Sequence, residues 1–277
     1  MHTSGLQALA DQWLEANARR FSVFGVRGGT SWKAGVSAPM VLASAQKVLV
    51  LRALTQVLVQ DPGFLDGGLQ VRDLNRFYRE GTDAGAHERS LLADGLGIES
   101  SDAWVPVSRL ALYMMRYSSN AATDALATLL KSHWHSKNVE ASPNGAQLEL
   151  PPLIIDQLPS TSAGQASRWY RASTRSLVDA LVEMETMRSA SAPFDPFAYL
   201  PRLRGFREPA VRGKKGRVPG HRAGAVIVQP SRGATLFAAY AYTTPIGHPP
   251  LEEAIEEALI GRVVSGGGAG AGGAIGA

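Results

Sequence analysis

Residues 43–51 read ASAQKVLVL, and the interpretation of the whole chain starts from them. They place Ser44 at the head of an almost wholly apolar run and Lys47 three residues further on, where a helix puts both side chains on the same face. Taking an ammonium group out of water is costly, so a lysine within such a run needs a reason. An enclosed lysine loses proton affinity and can then accept a proton from a neighbouring hydroxyl.

An ordinary amphipathic helix is the alternative, with Ser44 as its N-cap and the Lys47 amine reaching out to solvent. The Ser-x-x-Lys spacing is common by chance, so this pair alone leaves both interpretations open. In either case we expect the helix to continue to about Gln60 and to end at residues 61–63, which read DPG.

The composition is that of an ordinary globular protein. The chain has 277 residues, of which 45% are hydrophobic and 19% are charged, and this suffices for one large domain or two lobes. It contains no cysteine, which excludes disulfides and thiolate metal sites, and no metal or organic cofactor is implied. No apolar run approaches the length of a membrane span, so no membrane partner is expected.

Residues 1–20 predict an amphipathic helix rather than a signal peptide. Apolar residues recur there at helical spacing, but Asp11 and Glu15 interrupt them, and the unbroken apolar core of a leader is missing. A cytoplasmic location is therefore expected, whereas an exported protein would have to have lost its leader.

The formal net charge of +4 and the isoelectric point of about 9.5 indicate a solvated basic surface or an anionic partner. Much of the excess falls late in the chain, at Arg202, Arg204, Arg207, Arg212, Lys214, Lys215, Arg217 and Arg222. Nucleic acid is the least favoured partner, because no aromatic interleaving or recognition-helix pattern accompanies these charges. A small-molecule or peptide-like substrate that bears a carboxylate is favoured, and the oligomeric state is left open.

Strands are predicted near both ends of the chain. Residues 21–26 and 31–36 flank a pair of glycines and predict a hairpin. Three further strands and a closing helix are predicted at 210–216, 223–229, 234–244 and 250–264.

The middle of the chain is predicted to be helical, with long loops. Helices are predicted at 106–117, at 121–130 and at 176–187, the last capped by Ser173 and Thr174. Residues 64–107 are expected to be loop-rich with short helical pieces, and residues 132–167 to form a long ordered loop.

These elements predict an α+β fold. An antiparallel five-stranded sheet combines strands from both chain ends and is flanked by the terminal helices, while an all-helical lobe is inserted. The sheet lobe is assigned to residues 1–43 and 190–264, the helical lobe to residues 44–189, and residues 265–277 to a flexible Gly/Ala tail. An active site is expected between the lobes.

Three short motifs stand in order along the chain: Ser44-x-x-Lys47, Ser118-x-Asn120 and Lys214-Lys215-Gly216. In this order and setting they resemble the motifs of the penicillin-recognising serine enzymes, most closely the class A β-lactamase-like branch, which are Ser-x-x-Lys, Ser-Asp-Asn and Lys-Thr-Gly. The resemblance extends over most of the chain, from Leu6 to about Val264. Taken alone, the second motif would be explained by a helix-helix joint capped by Asn120.

The resemblance implies a role for each candidate catalytic residue. Ser44 attacks a carbonyl to form an acyl-enzyme, and Lys47 takes its proton. Ser118 relays a proton to the leaving atom, because a hydroxyl can donate and accept at once. Asn120 offers its amide to the substrate and to Lys47, and Lys214 holds positive charge near Ser118 and a substrate carboxylate.

The resemblance also implies a set of substrate-binding residues. The set comprises Tyr117, Lys215, Gly216 and Arg217. The backbone N–H groups of Ser44 and Arg217 would stabilise the oxyanion that forms during acylation. No metal ligand is implied.

Two positions depart from the family pattern. Ser119 stands where the family has an aspartate, and because that carboxylate is mainly structural, acylation is expected to survive its loss. Lys215 stands where a threonine or serine normally binds the substrate carboxylate. Its long cationic side chain could still attract an anion, or it could narrow the cleft and exclude bulky β-lactams, so the substrate is left open.

The base that would release the acyl group is not identified. Class A β-lactamases use a loop glutamate in a Glu-x-x-x-Asn pattern, and Glu140 with Asn144 fits these letters, but the surrounding loop does not match. A solvated loop carboxylate is the favoured explanation of Glu140, and Glu149 is a poorer candidate for the base. Efficient penicillin hydrolysis is therefore not the first expectation.

The leading hypothesis is a serine acyl hydrolase or acyltransferase that acts on a lactam, amide or ester through an acyl-Ser44 intermediate. A D-alanyl peptidase-like enzyme is the alternative within this class, although that activity demands export. A catalytically silent binding protein of the same fold is the other alternative, and Lys215, Ser119 and the missing loop glutamate favour it.

Overall fold

The structure is a computed structural model that describes residues 3–138, 148–158, 169–203, 211–229, 233–245 and 248–265. Its helices are α1 (Thr3–Ala16), α2 (Lys47–Gln60), α3 (Val71–Leu74), α4 (Ala86–Leu92), α5 (Val107–Leu112), α6 (Asn120–Asn138), α7 (Ile154–Gln157), α8 (Thr174–Met187), α9 (Pro196–Tyr199) and α10 (Pro249–Ser265). Its strands are β1 (Phe21–Arg27), β2 (Thr30–Gly35), β3 (Met40–Val41), β4 (Gly68–Gln70), β5 (Trp104–Pro106), β6 (Arg171–Ala172), β7 (Val211–Val218), β8 (His221–Val228) and β9 (Leu236–Thr243).

Five strands form one antiparallel sheet in the order β2-β1-β9-β8-β7. Two strands come from the N-terminal part of the chain and three from the C-terminal part, as the sequence predicted. Each lies within two residues of its predicted bounds. Strand β7 is at the edge of the sheet, and its outer edge is therefore available to the turn Ala43–Gln46, which packs against it.

Helices α1 and α10 pack against one face of the sheet, which we call the outer face. Leu14 of α1 and Leu259 of α10 join a buried cluster with Val23, Tyr240 and other sheet residues. Successive side chains of a strand point to opposite faces, so this cluster takes alternate residues of each strand. The predicted α+β class, with terminal helices flanking a five-stranded antiparallel sheet, is confirmed.

The inner face of the sheet carries the larger core. Helix α8 lies against both the sheet and α2, and α6 packs beside α2. Helix α2 is apolar nearly all round, which is typical of a helix enclosed by others, and Leu51, Leu54 and Leu58 are fully buried. Small residues of the sheet, among them Ala225 and Ala239, complete this core.

The cap of α8 was predicted, whereas two short sheets were not. The Ser173 hydroxyl accepts the N–H of Ser176 at 3.1 Å. Strand β3 pairs with β6, and β4 pairs with β5 inside the region predicted to be loops and short helices. Each of these strands has only two or three residues, which is too short for a hydropathy period to appear.

Parts of the predicted organisation lie beyond these findings. The division of the chain into lobes at residues 43 and 190 stays a prediction. The Gly/Ala tail lies, from residue 266 onward, outside the described residues. None of the described helices combines the length and the apolar character that a membrane crossing needs.

Candidate active site

Ser44 lies in the 3₁₀ turn Ala43–Gln46, which leads directly into α2. Leu42 donates its N–H to the carbonyl oxygen of Tyr170 at 3.2 Å, so the turn is tied to the segment that precedes α8. The Ser44 hydroxyl does not cap the helix. The alternative in which Ser44 is an ordinary N-cap is therefore wrong, and this hydroxyl is available to Lys47.

The amine of Lys47 is enclosed at the start of α2, where the residue is 0% exposed. Its Nζ lies 3.3 Å from Ser44 Oγ, 3.1 Å from Ser118 Oγ, 2.7 Å from the Ser118 carbonyl oxygen and 2.8 Å from Asn120 Oδ1. The alternative of a surface lysine is therefore wrong. Four of the five predicted catalytic residues meet at this amine.

The contacts of Lys47 define where its protons can be. The carbonyl oxygen of Ser118 and the amide oxygen of Asn120 only accept hydrogen bonds, so each takes one N–H of the amine. A neutral amine has two N–H groups, and its lone pair then faces the two hydroxyls. Ser118 Oγ donates to Ser44 Oγ at 3.1 Å in this arrangement, so the hydroxyls form a continuous path to the amine.

Burial favours the neutral form of Lys47. Removal from water lowers its pKa well below the ordinary value, and the positive charge of Lys214 lowers it further. The carboxylates of Asp83 and Asp124 act in the opposite direction. The four polar groups that hydrogen-bond the amine are all uncharged, and no carboxylate of the described residues forms an ion pair with it.

An irregular helix end shapes the segment 118–120. Helix α5 continues into a π-helical turn, Tyr113–Tyr117, and Ser118 then adopts a left-handed conformation with φ of 67°. π-Helical turns and non-glycine residues with positive φ are uncommon and occur often at functional sites. Here this geometry directs both the carbonyl and the hydroxyl of Ser118 at Lys47. The sequence predicted a plain helix end.

Ser119 caps helix α6. Its hydroxyl accepts the N–H of Ala122 at 3.1 Å, and its carbonyl accepts the hydroxyl of Thr123 at 2.7 Å. Asn120 is therefore not the cap, contrary to the alternative, and its amide oxygen is free to bind Lys47. A hydroxyl at position 119 therefore caps the helix without a carboxylate.

Lys214 approaches the site from the inner face of β7. It is almost fully buried, and its Nζ donates to the Met115 carbonyl of the π-helical turn at 3.0 Å. Burial lowers the pKa of Lys214 to about 7. Lys214 thus contacts the turn that presents Ser118.

Gly216 allows β7 to lie directly on the backbone of the Ser44 turn. A Cβ atom at this position would lie 2.4 Å from Ser44 N, 2.6 Å from Ala45 N and 2.8 Å from the Leu42 carbonyl oxygen. Backbone atoms cannot give way by that much, so only glycine fits at this close approach.

The edge of β7 offers a second backbone donor beside Ser44. Gly213 donates its N–H away from β8, to the carbonyl of Pro201 at 3.0 Å. The N–H groups of a strand alternate between its two edges, so the N–H of Arg217, four residues on, faces the same edge. Gly216 holds this edge against Ser44. This placement agrees with the predicted pair of oxyanion donors.

The ammonium of Lys215 is held on the outer face of the sheet. Its Nζ lies 3.2 Å from Oε2 of Glu256 on α10. Glu256 is buried and also binds Nη1 of Arg222 at 3.4 Å and the hydroxyl of Tyr240. Lys215 lines the cleft, but its charge is paired, so the exposed side chain of Arg217 is the better cation for a substrate carboxylate.

A cavity of about 330 Å³ opens beside these residues. Its walls are formed by Ala43, Ser44, Gln46, Thr82, Asp83, Ala84, Ser118, Asn120, Ile154, Leu158, Trp169, Lys215, Arg217 and Val218. Tyr117, which the sequence predicted to bind substrate, is not among the described residues that line the cavity. Its half-buried ring contacts the ring of Tyr113 edge-on, and the two centroids are 6.3 Å apart. Lys47 and Lys214 lie beneath the cavity wall.

Asp83 is a cavity residue that the sequence interpretation missed. Its Oδ1 accepts the N–H of Ala86 at 3.0 Å, and its Oδ2 accepts the N–H of His87 at 3.1 Å and that of Asn120 at 3.4 Å. The carboxylate thus joins the start of α4 to the start of α6. Its only sequence signal was an aspartate in the segment 81–85, GTDAG, which is typical of an ordinary turn.

Asp124 was also missed, and it shapes the cavity floor. It lies one turn after Asn120 on α6 and accepts the N–H groups of Ile154 at 2.7 Å and Ile155 at 2.8 Å. Burial raises the pKa of Asp124 to about 6, against the effect of these two hydrogen bonds. The result is an apolar residue, Ile154, fixed in the cavity wall.

Acidic side chains near Ser44 are few in the part of the chain that the structure describes. Glu140 and Asn144 lie outside it. The Glu149 side chain is 82% exposed and lies 3.6 Å from Nη2 of Arg52, away from the cavity. Asp83 is the one carboxylate among the cavity residues that the structure describes. The described residues contain no group of three or more His, Cys, Asp or Glu side chains that could hold a metal ion.

Comparison with known proteins identifies the fold. No protein-family model and no curated protein matches the sequence. Among solved structures, the chain is similar to a class A β-lactamase from Mycobacterium abscessus, with a TM-score of 0.60 and 16% identity over 95% of this chain and 100% of that one. It is also similar to PBP-A, with a TM-score of 0.60 and 16% identity over 96% of each chain.

A β-lactamase from Burkholderia vietnamiensis is similar as well, with a TM-score of 0.58 and 13% identity over 95% of this chain and 97% of that one. Identities this low establish the fold and leave activity open. The chain has the β-lactamase-like fold that its three motifs predicted.

Proposed function

We propose that this chain of β-lactamase-like fold is a serine acyl hydrolase or acyltransferase, working through an acyl-Ser44 intermediate on a lactam, amide or ester. One observation carries the proposal. The fully buried amine of Lys47 lies 3.3 Å from Ser44 Oγ, while acceptors on Ser118 and Asn120 take its two N–H groups. An amine held in this way has a lone pair for a hydroxyl proton and no carboxylate to keep it protonated.

Acylation would begin with the Ser44 proton. The Lys47 lone pair accepts it directly as Ser44 Oγ bonds to the substrate's carbonyl carbon. The carbonyl oxygen gains negative charge, which the N–H groups of Ser44 and Arg217 stabilise. The adduct then collapses, the bond to the leaving nitrogen or oxygen breaks, and the proton passes from Lys47 through Ser118 to that atom.

Lys214 supports this cycle through its charge. Because two like charges disfavour each other, protonated Lys214 lowers the pKa of Lys47. Lys47 therefore holds the proton taken from Ser44 weakly and passes it on readily. Asn120 keeps the amine oriented while the proton moves.

Release of the acyl group to water is expected to be slow. Asp83 is the one carboxylate among the described cavity residues, and three backbone N–H groups already bind it. These donors occupy most of the acceptor positions of the carboxylate, so little of it remains to bind and orient a water. Ile154 and Leu158 make the neighbouring wall apolar. An acyl-enzyme that accumulates, or one that passes its acyl group to another acceptor, is expected over fast hydrolysis.

The substrate class is a small-molecule or peptide-like acyl donor that bears a carboxylate. Strand β7 carries Lys214, Lys215 and Arg217 at the site, and the Arg217 side chain is exposed. A peptide ending in D-alanine belongs to this class, because its terminal carboxylate follows the bond to be cleaved. No nucleic acid or membrane partner is proposed.

Mass spectrometry of the intact protein, followed over time after mixing with a penicillin or a fluorophosphonate, tests the proposal. We expect one adduct per chain, mapped to Ser44, that forms faster than it disappears. Ser44→Ala should lose the adduct, whereas Ser136→Ala, which changes an exposed serine of α6, should keep it. A folded protein that gains no mass from either reagent would contradict the proposal.

A catalytically silent binding protein is the second candidate. The apolar cavity wall beside a carboxylate already engaged by three N–H groups favours it. This candidate predicts reversible binding of a penicillin without added mass, and unchanged affinity in Ser44→Ala. A burst of product from a chromogenic ester, lost in Ser44→Ala, separates the two functions in favour of the enzyme.

A further inference from the structure

Asp83 is a charge in the candidate active site that the proposed reaction does not use. It lines the same cavity as Ser44. Its hydrogen-bond donors are backbone N–H groups, and within the described ranges no cationic side chain forms an ion pair with it. A carboxylate can accept about four hydrogen bonds, so one acceptor position remains for a ligand.

The Asp83 carboxylate is fixed in place before any ligand arrives. Consecutive N–H groups of Ala86 and His87 bind its two oxygens at 3.0 and 3.1 Å, and the N–H of Asn120 adds a longer contact at 3.4 Å. A group already ordered loses little conformational entropy when it binds a ligand. Such a carboxylate is suited to recognise a cation.

The charge of Asp83 is not cancelled inside the site. Lys47 makes no ion pair with Asp83 among the described residues, because its amine binds Ser44, Ser118 and Asn120, and burial lowers the pKa of this amine well below its ordinary value. Positive charge lies instead on β7, where the exposed side chain of Arg217 lines the cavity and the ammonium of Lys215 is paired with Glu256. The cavity therefore has an anion on the α6 side and a cation on the β7 side.

We propose that the site selects zwitterionic acyl donors, with an ammonium on the acyl portion near Asp83 and a carboxylate on the leaving portion near Arg217. This inference rests on the proposed function, because it names the substrate class of the same site. Asp83 binds the N–H of Asn120, whose amide is expected to meet the acyl portion. Arg217 follows Lys214, which contacts the turn presenting Ser118, the hydroxyl that protonates the leaving atom.

Two penicillins that differ by one amino group test this selectivity. Benzylpenicillin and ampicillin carry the same carboxylate on the leaving portion, and ampicillin adds an ammonium on the acyl portion. We expect the second-order rate constant for mass addition at Ser44 to be about fivefold larger for ampicillin, as for one partly exposed ion pair. The ratio should fall toward one in about 1 M salt, where such a pair is screened.

Matched variants assign the effect to Asp83. Asp83→Asn should bring the ratio of the two rate constants close to one. Glu80→Gln removes the same charge from an exposed position of the same loop that does not line the cavity, and it should keep the ratio. Because both penicillins are compared within each variant, a change in overall activity does not alter the result.

The outcomes separate this inference from the proposed function. A ratio near one in the unmodified protein overturns the inference, and so does a ratio that Asp83→Asn leaves unchanged. If neither penicillin adds mass while a chromogenic ester still gives a Ser44-dependent burst, the selectivity is wrong and the proposed function stands. If no reagent reacts at Ser44, the proposed function fails and the inference fails with it.

Discussion

Lys47 and Lys215 lie on opposite sides of the same sheet edge, and their surroundings differ in one respect. On the inner side, the hydrogen-bond partners of the Lys47 amine among the described residues are hydroxyl, carbonyl and amide oxygens. On the outer side, the Lys215 ammonium meets the carboxylate of Glu256, which also binds the buried guanidinium of Arg222. Burial without a paired carboxylate lowers the pKa of the Lys47 amine, whereas each cation on the outer side has a carboxylate partner.

On the outer side, Lys215 and Arg222 form ion pairs with Glu252 and Glu256, and Lys47 on the inner side has no such partner among the described residues. Arg222 lies 2.8 Å from Glu252 and 3.4 Å from Glu256, and the hydroxyls of Tyr240 and Tyr242 add hydrogen bonds to α10. These contacts fix the terminal helix to the strands that carry the third motif. The outer charges therefore serve structure, and the inner amine is left free for chemistry.

The largest effect is expected from Lys47→Met, which removes the inner amine. The rate of mass addition at Ser44 from a penicillin should fall about a thousandfold, because general-base catalysis typically contributes about 10²–10⁴-fold. Lys215→Met is the paired change on the outer side and should cost less than about tenfold, as expected for a partly exposed ion pair. Equal losses in the two variants, measured by time-resolved mass spectrometry, would remove the distinction between the two sides.

A smaller effect, on stability, is expected from Glu256→Gln. Arg222 and Lys215 then lose a shared carboxylate, and removing one partner of a buried ion pair should lower the free energy of unfolding by about 3 kcal/mol. Urea denaturation measures this loss. Glu257→Gln, at the exposed neighbouring position of α10, is the control and should change stability by less than about 0.5 kcal/mol. If the free energy of unfolding falls by the same small amount in both variants, the outer charges do not stabilise the fold.

The smallest effect is a change in pH dependence in Lys214→Arg. Below pH about 7 Lys214 is charged and lowers the pKa of Lys47, and as the pH rises through that value the charge is lost. As that charge is lost the pKa of Lys47 rises, so the free base that accepts the Ser44 proton forms only at higher pH. Arginine keeps its charge, so the pH at which acylation by a penicillin reaches half its maximum should be lower in Lys214→Arg, whereas Lys131→Arg, an exposed change, should leave it unchanged. Identical profiles in all three proteins would exclude this role of Lys214.

The sequence predicted the fold and the residues that meet at Lys47, because motif order and strand periodicity carry that information. It did not predict the π-helical turn before Ser118 or the cap at Ser119, since several local conformations suit a polar helix joint. Nor did it predict the outer partner of Lys215. Glu256 lies in a helix far along the chain, and no local pattern links the two residues.

Asp83, on the inner side, is another residue whose contacts the sequence did not predict. An aspartate between glycines is typical of a turn, and its hydrogen bond to the N–H of Asn120 depends on how α4 packs near α6. Contacts between distant segments decide which buried charges are paired. Sequence patterns located the candidate nucleophile and base, but they could not show which nearby charges are neutralised.

The pKa of Lys47 is the measurement that tests the central claim most directly. The chain has six lysines, so NMR of protein labelled at lysine Cε gives few signals, and Lys47→Arg identifies the one from Lys47. We predict that this signal titrates well below the ordinary lysine value of about 10.4. A Lys47 amine that stays protonated up to about pH 10.4 would contradict the account.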